Sequence, residues 1–255
     1  MTMATRWLGR LAPALLAAAL WHSAPAWADP AGDKVIAQMD EELNKPADLY
    51  FKYDVVHQEP GAAHPRTMQF TVEVKGDKNL TEFLAPADQK GTRVLVLSRH
   101  QMYVWLPQFN KIRRVASSST EQGFMGTTFE YDDLSTPYYG KVYDGKIIED
   151  AGDHQVIEAT AKPDADVTYK KLHITVDKKM HVPTEIDFYN DRDVLARTET
   201  RKDYVCDEGV CVFTTMRMTD HTRNDVWTEV RMVEWKHDQG LSDSLFTVRA
   251  LQSGM

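Results

Sequence analysis

From Leu49 to Trp235 apolar and polar residues alternate with the period of two that puts successive side chains on opposite faces of a strand. The alternation is broken at short intervals by Gly, Pro, Asn and Asp, the residues that close tight turns. Thr67 to Val74 places Met68, Phe70, Val72 and Val74 on one side. Val210 to Thr219 does the same with Val210, Val212, Met216 and Met218. In Val226 to Trp235 both sides carry large residues, with Val226, Val230 and Met232 opposing Trp227, Val233 and Trp235. That strand is expected to be covered on both faces or to present a partner patch. Further strands are predicted at Tyr50–Val56, Leu80–Leu84, Val94–Leu97, Met102–Leu106, Gln155–Ala161, Val167–Val176, Thr184–Tyr189 and Val194–Val205, with Lys141 to Glu149 mixed in character.

Only residues 33–44 show a helical period. Val35, Ile36, Met39 and Leu43 share one face, charges cover the other, and Pro46 stops the run. Ser242 is placed to cap one short turn leading to Phe246. Many short strands with one good helix predict a mainly β protein built on one strongly curved antiparallel sheet. One face of such a sheet needs a cover, and the helix and the aromatic segment around Phe124 to Leu134 are the available ones.

The N-terminus carries an address. Arg6 and Arg10 precede an apolar run from Leu11 to Leu20, and Ala26-Trp27-Ala28 is a small-x-small cleavage site. The run is too short to span a bilayer, so residues 1–28 read as a secretory signal peptide cleaved after Ala28. The expected product is a soluble periplasmic chain, residues 29–255, forming a single domain. The leader holds two arginines and no acid, so its removal takes the net charge from −8 to −10. Such an acidic chain has no electrostatic footprint for nucleic acid and is repelled by anionic headgroups, so any dealings with lipid run through apolar surface or a cavity. The two cysteines, Cys206 and Cys211, flank Asp207-Glu208-Gly209-Val210 between two strand-like runs. In an oxidising compartment a structural disulfide pinning that hairpin is the expectation, and the spacing is not the C-x-x-C of a redox pair.

Signatures of catalysis are missing. There is no G-x-S-x-G, Walker or G-x-G-x-x-G motif, the histidines form no ligand pair, and Asp177, Asp187, Asp191 and Asp193 do not have EF-hand spacing. No enzyme activity, metal or cofactor is expected. Asp132-Asp133 admits a general acid/base reading, but a local cap or turn before Leu134 is the preferred one. Large soft side chains stand out instead. Trp105, Phe109, Phe124, Met125, Phe129 and Tyr131 crowd one region, and Met216, Met218, Trp227 and Met232 the last strands. They fit an ordinary core or an adaptable cavity wall equally well. Arg113 and Arg114 read as a solvated strand end or as a carboxylate, phosphate or partner contact at a cavity mouth.

A resemblance favours the cavity. Phe83 to Pro86 with Lys90-Gly91-Thr92, then Trp105-Leu106-Pro107 with Arg113-Arg114, then Gly126 to Leu134, resemble blocks of the outer-membrane lipoprotein-sorting family, the LolA-like periplasmic carriers. The middle block departs from the family's W-x-x-P by one residue. The resemblance implies a LolA/LolB-like unclosed antiparallel β-barrel lidded by helices and holding acyl chains. It implies a carrier or chaperone for a lipid or lipoprotein, with an RND-type inner-membrane transporter or an outer-membrane acceptor as partner. On this reading the cavity residues are Met68, Phe70, Val72, Trp105, Phe124, Met125, Phe129, Tyr131, Met216, Met218, Trp227 and Met232, with Phe124 to Leu134 as lid. A regulatory ligand-sensing module similar to the LolA-like domain of RseB is the alternative.

Overall fold

The structure, a computed structural model, describes residues 29–116, 123–134 and 138–253. The expected signal peptide and the polar Ser117–Thr120 loop lie outside the described residues. The chain opens with α1 (Pro30–Leu43). It starts earlier than the apolar period predicts because Asp29 caps it, accepting from the Ala31 amide, and Pro30 supplies a φ suited to the first turn. Val35, Ile36 and Met39 are its buried face.

Among the described residues thirteen strands follow: β1 (Leu49–Gln58), β2 (Arg66–Lys75), β3 (Lys78–Ala85), β4 (Arg93–Ser98), β5 (Gln101–Leu106), β6 (Lys111–Arg114), β7 (Tyr143–Asp150), β8 (His154–Ala161), β9 (Lys171–Asp177), β10 (Pro183–Tyr189), β11 (Leu195–Asp207), β12 (Val210–Asp220) and β13 (Val226–His237). They form one antiparallel sheet that is not closed. Its order is two meanders joined where the first strand meets the last, β6-β5-β4-β3-β2-β1-β13-β12-β11-β10-β9-β8-β7. A bulge at Lys52/Tyr53 leaves Val233 unpaired in the β1–β13 ladder and 56% exposed. The β11–β12 hairpin turns on Glu208 and Gly209, both at positive φ, and the Cys206–Cys211 disulfide crosses it between directly paired residues.

The free edge of β7 is covered. Carboxylates of α1 accept its outward amides, Asp33 from Gly145 at 2.7 Å and Asp29 from Ile147 at 3.3 Å. Gly32 and Gly145 allow this approach, since a Cβ on Gly32 would sit 2.4 Å from the Gly145 carbonyl oxygen. Asp40 likewise takes the amides of Tyr139 and Gly140, both at 2.8 Å. This is a cation-free way of blunting an edge strand.

Among the described residues between β6 and β7 the chain crosses the concave side of the sheet in short 3-10 turns, at Phe124–Gly126, Asp132–Leu134 and Tyr139–Lys141, so that α1 is the only α-helix described in the cover. Two cores result. The larger, on the concave side, joins α1, the crossing segment and inward residues of most strands. The smaller, on the opposite face of β4 and β5, packs Leu95 and Trp105 against Leu245, Phe246 and Leu251 of the C-terminal turn and α2 (Val248–Ser253).

Candidate functional site

An apolar trough runs along the concave face where β1, β2, β12 and β13 lie side by side. Period two turns Phe51, Tyr53 and Val55 inward from β1, Phe70, Val72 and Val74 from β2, Met216 from β12, and Thr228 and Val230 from β13. Two adjoining cavities occupy it. One, of about 200 Å³, lies under Phe124, Phe129 and Leu134. The other, of about 240 Å³, lies between the end of α1 and the cysteine hairpin, against Leu43, Leu49, Val210, Val212 and Phe213. Both are lined by Phe51, Tyr53, Met216 and Val230, which form a wall common to the two. A chain of rings forms its floor and roof, with Phe51–Tyr53 at 5.4 Å, Tyr53–Phe70 at 5.8 Å, Phe70–Phe124 at 6.5 Å and Phe124–Tyr131 at 5.5 Å between centroids. Burial raises the Tyr53 hydroxyl well above its ordinary pKa, so the wall stays uncharged.

At one end Arg201 lines both the trough and a polar cavity of about 240 Å³ edged by Arg99, Asp132, Asp133 and Glu199, with Tyr139, Tyr143 and Tyr169. Arg201 donates to Glu199 at 2.5 Å.

The lid, Gly123–Leu134, is fastened through polar groups. Its ends pair through the Phe124 amide to the Phe129 carbonyl, and Met125 and Gly126 turn it at φ values of 51° and 75°. Thr128 donates its amide to Thr228 Oγ1 and its hydroxyl to the Met218 carbonyl, while buried His57 holds Thr228 at 2.8 Å. Arg66 donates to the Met125 and Gly126 carbonyls, and Asn79 to that of Leu134. Asp132 takes Arg99 and Thr168. Asp133 accepts the Glu130 amide at 2.7 Å and both arms of Arg197, at 2.8 and 2.9 Å. The acidic pair is therefore a cap and a latch, in line with the structural reading. Arg197 is 3% exposed and lies 4.7 Å over the rings of both Tyr169 and Phe188. Burial pushes Glu130 up to about 7, against the pull of Arg197 at 3.4 Å and with a further upward push from Asp133.

Of the residues expected to line a cavity, Phe70, Val72, Phe124, Phe129 and Met216 do so. Met68 and Met218 belong to the same core but are packed solid, and Met125 and Tyr131 rest against it half-buried. Met232 pairs with Tyr53 beside the bulge, half-buried and outside the lining. Two expectations are corrected. Trp105 belongs to the small core on the opposite face: Val94 and Val104, its neighbours in the β4–β5 ladder, point inward, so Trp105 points away. Trp227 pairs with Gln58 and Thr219 on the convex side and stacks on the Arg217 guanidinium at 4.1 Å, because Val226 and Thr228 hold the inward positions. Arg113 and Arg114 are exposed on the edge strand β6, neither lining a trough cavity. Phe51 and Tyr53, in the wall common to both cavities, were legible in the alternation with Lys52 and Asp54. Arg197 was not, since its partner Asp133 is 64 residues away. Among the described residues no group of three or more His, Cys, Asp or Glu could hold a metal ion, and no helix is long and apolar enough to cross a membrane.

A family model described as "Uncharacterized protein" matches residues 75–253. No curated protein matches the chain in sequence. Among solved structures, the chain is similar to a DUF1329 family protein from Desulfovibrio piger ATCC 29098, at 25% identity and a TM-score of 0.80 over 88% of this chain and 98% of that one. It is also similar to a domain from Vibrio parahaemolyticus assigned to outer membrane lipoprotein sorting, at 25% identity and a TM-score of 0.78 over 88% and 99%. A LolA superfamily protein, NE2245 from Nitrosomonas europaea, shares the fold at 19% identity and a TM-score of 0.71 over 86% and 98%.

Proposed function

The chain belongs to the family whose model spans residues 75–253 and has the fold of the LolA superfamily; from that premise we propose that it is a periplasmic carrier that shields the acyl chains of a lipid or lipoprotein in the trough. The observation that carries this reading is the pair of adjoining apolar cavities under a lid held by polar bonds. Binding rests on burial and not on catalysis. Each methylene removed from water contributes about 0.8 kcal/mol, so even part of one acyl chain offsets the roughly 4 kcal/mol or more lost on association. At 200–240 Å³ each cavity is smaller than the roughly 300–1,000 Å³ usual for a ligand pocket, so loading requires the lid or the α1 side to give. Polar fastenings suit that role, because water can replace them when the lid lifts, whereas an apolar seal would be costly to expose.

Export with residues 1–28 as a cleaved leader, a single domain over 29–255, and delivery to or from an RND-type transporter or an outer-membrane acceptor belong to the same proposal. The test is uptake of a fluorescent fatty acid and of a triacylated lipopeptide by the purified protein. Saturable uptake that Met216→Asp and Phe129→Asp abolish, with circular dichroism unchanged, is the expected result. Uptake unaffected by both substitutions, or none by the native protein, would remove the trough from consideration as the binding site.

A further inference from the structure

Net charge conceals a local feature of the opposite sign. The β5–β6 connection, Pro107–Asn110, is a 3-10 turn closed by Asn110 at φ 47° and by its amide bonded to the Pro107 carbonyl. At its apex Phe109 is 63% exposed, the most exposed large hydrophobic side chain among the described residues. No packing explains it. The neighbouring β3–β4 loop is fixed to this turn, with Gln108 donating to the Asp88 carbonyl and Gly91 lying against Pro107. Near Phe109 stand Lys90 on the neighbouring loop and Lys111 and Arg113 on β6, all exposed, and none forms an ion pair with a described carboxylate. Arg114, paired with Tyr103 at the far end of β6, turns instead to the His100 carbonyl of the β4–β5 turn. Asp88 is the single acid of the two connections and β6. In a chain with eight more acids than bases, three cations with no acidic partner among the described residues, beside one exposed ring, form a concentrated exception.

We propose that this tip docks the protein on an anionic lipid surface, Phe109 entering the headgroup boundary and the three cations meeting lipid phosphates. Screening makes this compatible with the acidic whole. The Debye length is about 8 Å at physiological ionic strength, so a surface touching the tip responds to the tip's charge and little to the rest. An aromatic ring among basic side chains is the pairing suited to a membrane interface, where one part is buried and the other neutralises phosphate. Membrane docking at the tip is separate from acyl binding in the trough, and each stands without the other.

The experiment is vesicle co-sedimentation of the purified protein on phosphatidylcholine alone and on phosphatidylcholine mixed with phosphatidylglycerol, with fatty-acid uptake measured on the same samples. The native protein is expected on the mixed vesicles only, and less at high salt. Each basic side chain near such a surface is worth roughly fivefold in affinity, so Lys111→Gln with Arg113→Gln should weaken binding roughly 25-fold. Phe109→Ser should weaken it roughly tenfold or more. All three positions are solvent-exposed, so the melting temperature and fatty-acid uptake should stay at native values. Native protein that ignores the mixed vesicles overturns the proposal and leaves an acidic protein as the tip's partner. So does equal binding by native protein and variants. Vesicle binding by a protein that takes up no fatty acid would refute the carrier reading while sustaining this one.

Discussion

Replacing Arg197 with Met tests whether the lid is latched from inside the sheet. In the native chain the guanidinium is 3% exposed, forms a two-pronged bond to Asp133, reaches the Thr128 carbonyl at 3.3 Å and lies 3.4 Å from Glu130. Methionine keeps the packing on Tyr169 and Phe188 and removes the charge. Asp133 is then left with the Glu130 amide, beside a second carboxylate and mostly screened from water. Breaking a buried pair by removing one partner costs about 3–5 kcal/mol, most of it from the charge left behind. Removing both charges costs less, so Arg197→Met with Asp133→Asn should recover about 2 kcal/mol or more of that loss. Urea denaturation of the four proteins gives the coupling, and hydrogen exchange locates it. The amides of Thr127 to Leu134 should lose protection in Arg197→Met, while those of β7 to β9 keep it. Lipid uptake should become faster, since opening no longer breaks the pair. A coupling within about 0.5 kcal/mol of zero, or unchanged exchange in the lid, would refute the latch, because independent sites add to within that margin.

Glu130 gives the lid a pH dependence. Its folded pKa, about 7, stands above its ordinary 4.5, so folding takes up a proton between these values and stability falls as pH rises from 4.5 through 7. Glu130→Gln should therefore match the native protein at pH 4 and exceed it at pH 8, by up to about 3 kcal/mol in urea melts; equal stability at both would sink the assignment. Trp105→Ala should cost about 3–5 kcal/mol by hollowing the small core yet leave fatty-acid affinity within twofold, whereas a comparable loss of affinity would return Trp105 to the cavity.

The alternation of apolar residues carried the sheet, because a strand with one buried face writes its period into the chain. It carried the inward sets of β2 and β12 for the same reason. Where a strand is covered on both faces the signal fails. Met102 to Leu106 is apolar throughout, and Trp105 turns outward because the C-terminal residues Leu245 to Leu251, distant in sequence, supply a second core. Trp227 fails differently. A large aromatic can be sheltered on the outer face by a guanidinium stacked over it, and nothing local to Val226–Trp235 distinguishes that from a cavity wall. β6 hides because its four residues are three cations and one isoleucine, a composition that reads as loop until Trp105 and Val104 are known to pair with it.

The lid shows why the trough could be anticipated and its control could not. The apolar residues of Phe124 to Leu134 declare a buried segment on composition alone. What decides whether that segment lifts is the set of polar bonds beneath it, from Thr128, Asp132 and Asp133 to Thr228, Arg99 and Arg197. Each joins residues far apart in the chain, and each places a group that prefers water inside a wall that excludes it. The proposed carrier role needs both properties at once. Apolar walls give affinity that does not depend on the cargo's headgroup, and a polar seam gives the cover a line along which water can enter and the cargo can leave. The sheet's failure to close supplies the last element. With β7 blunted by the carboxylates of α1 and β6 by its own cations, the barrel can stay open without inviting another strand into the gap.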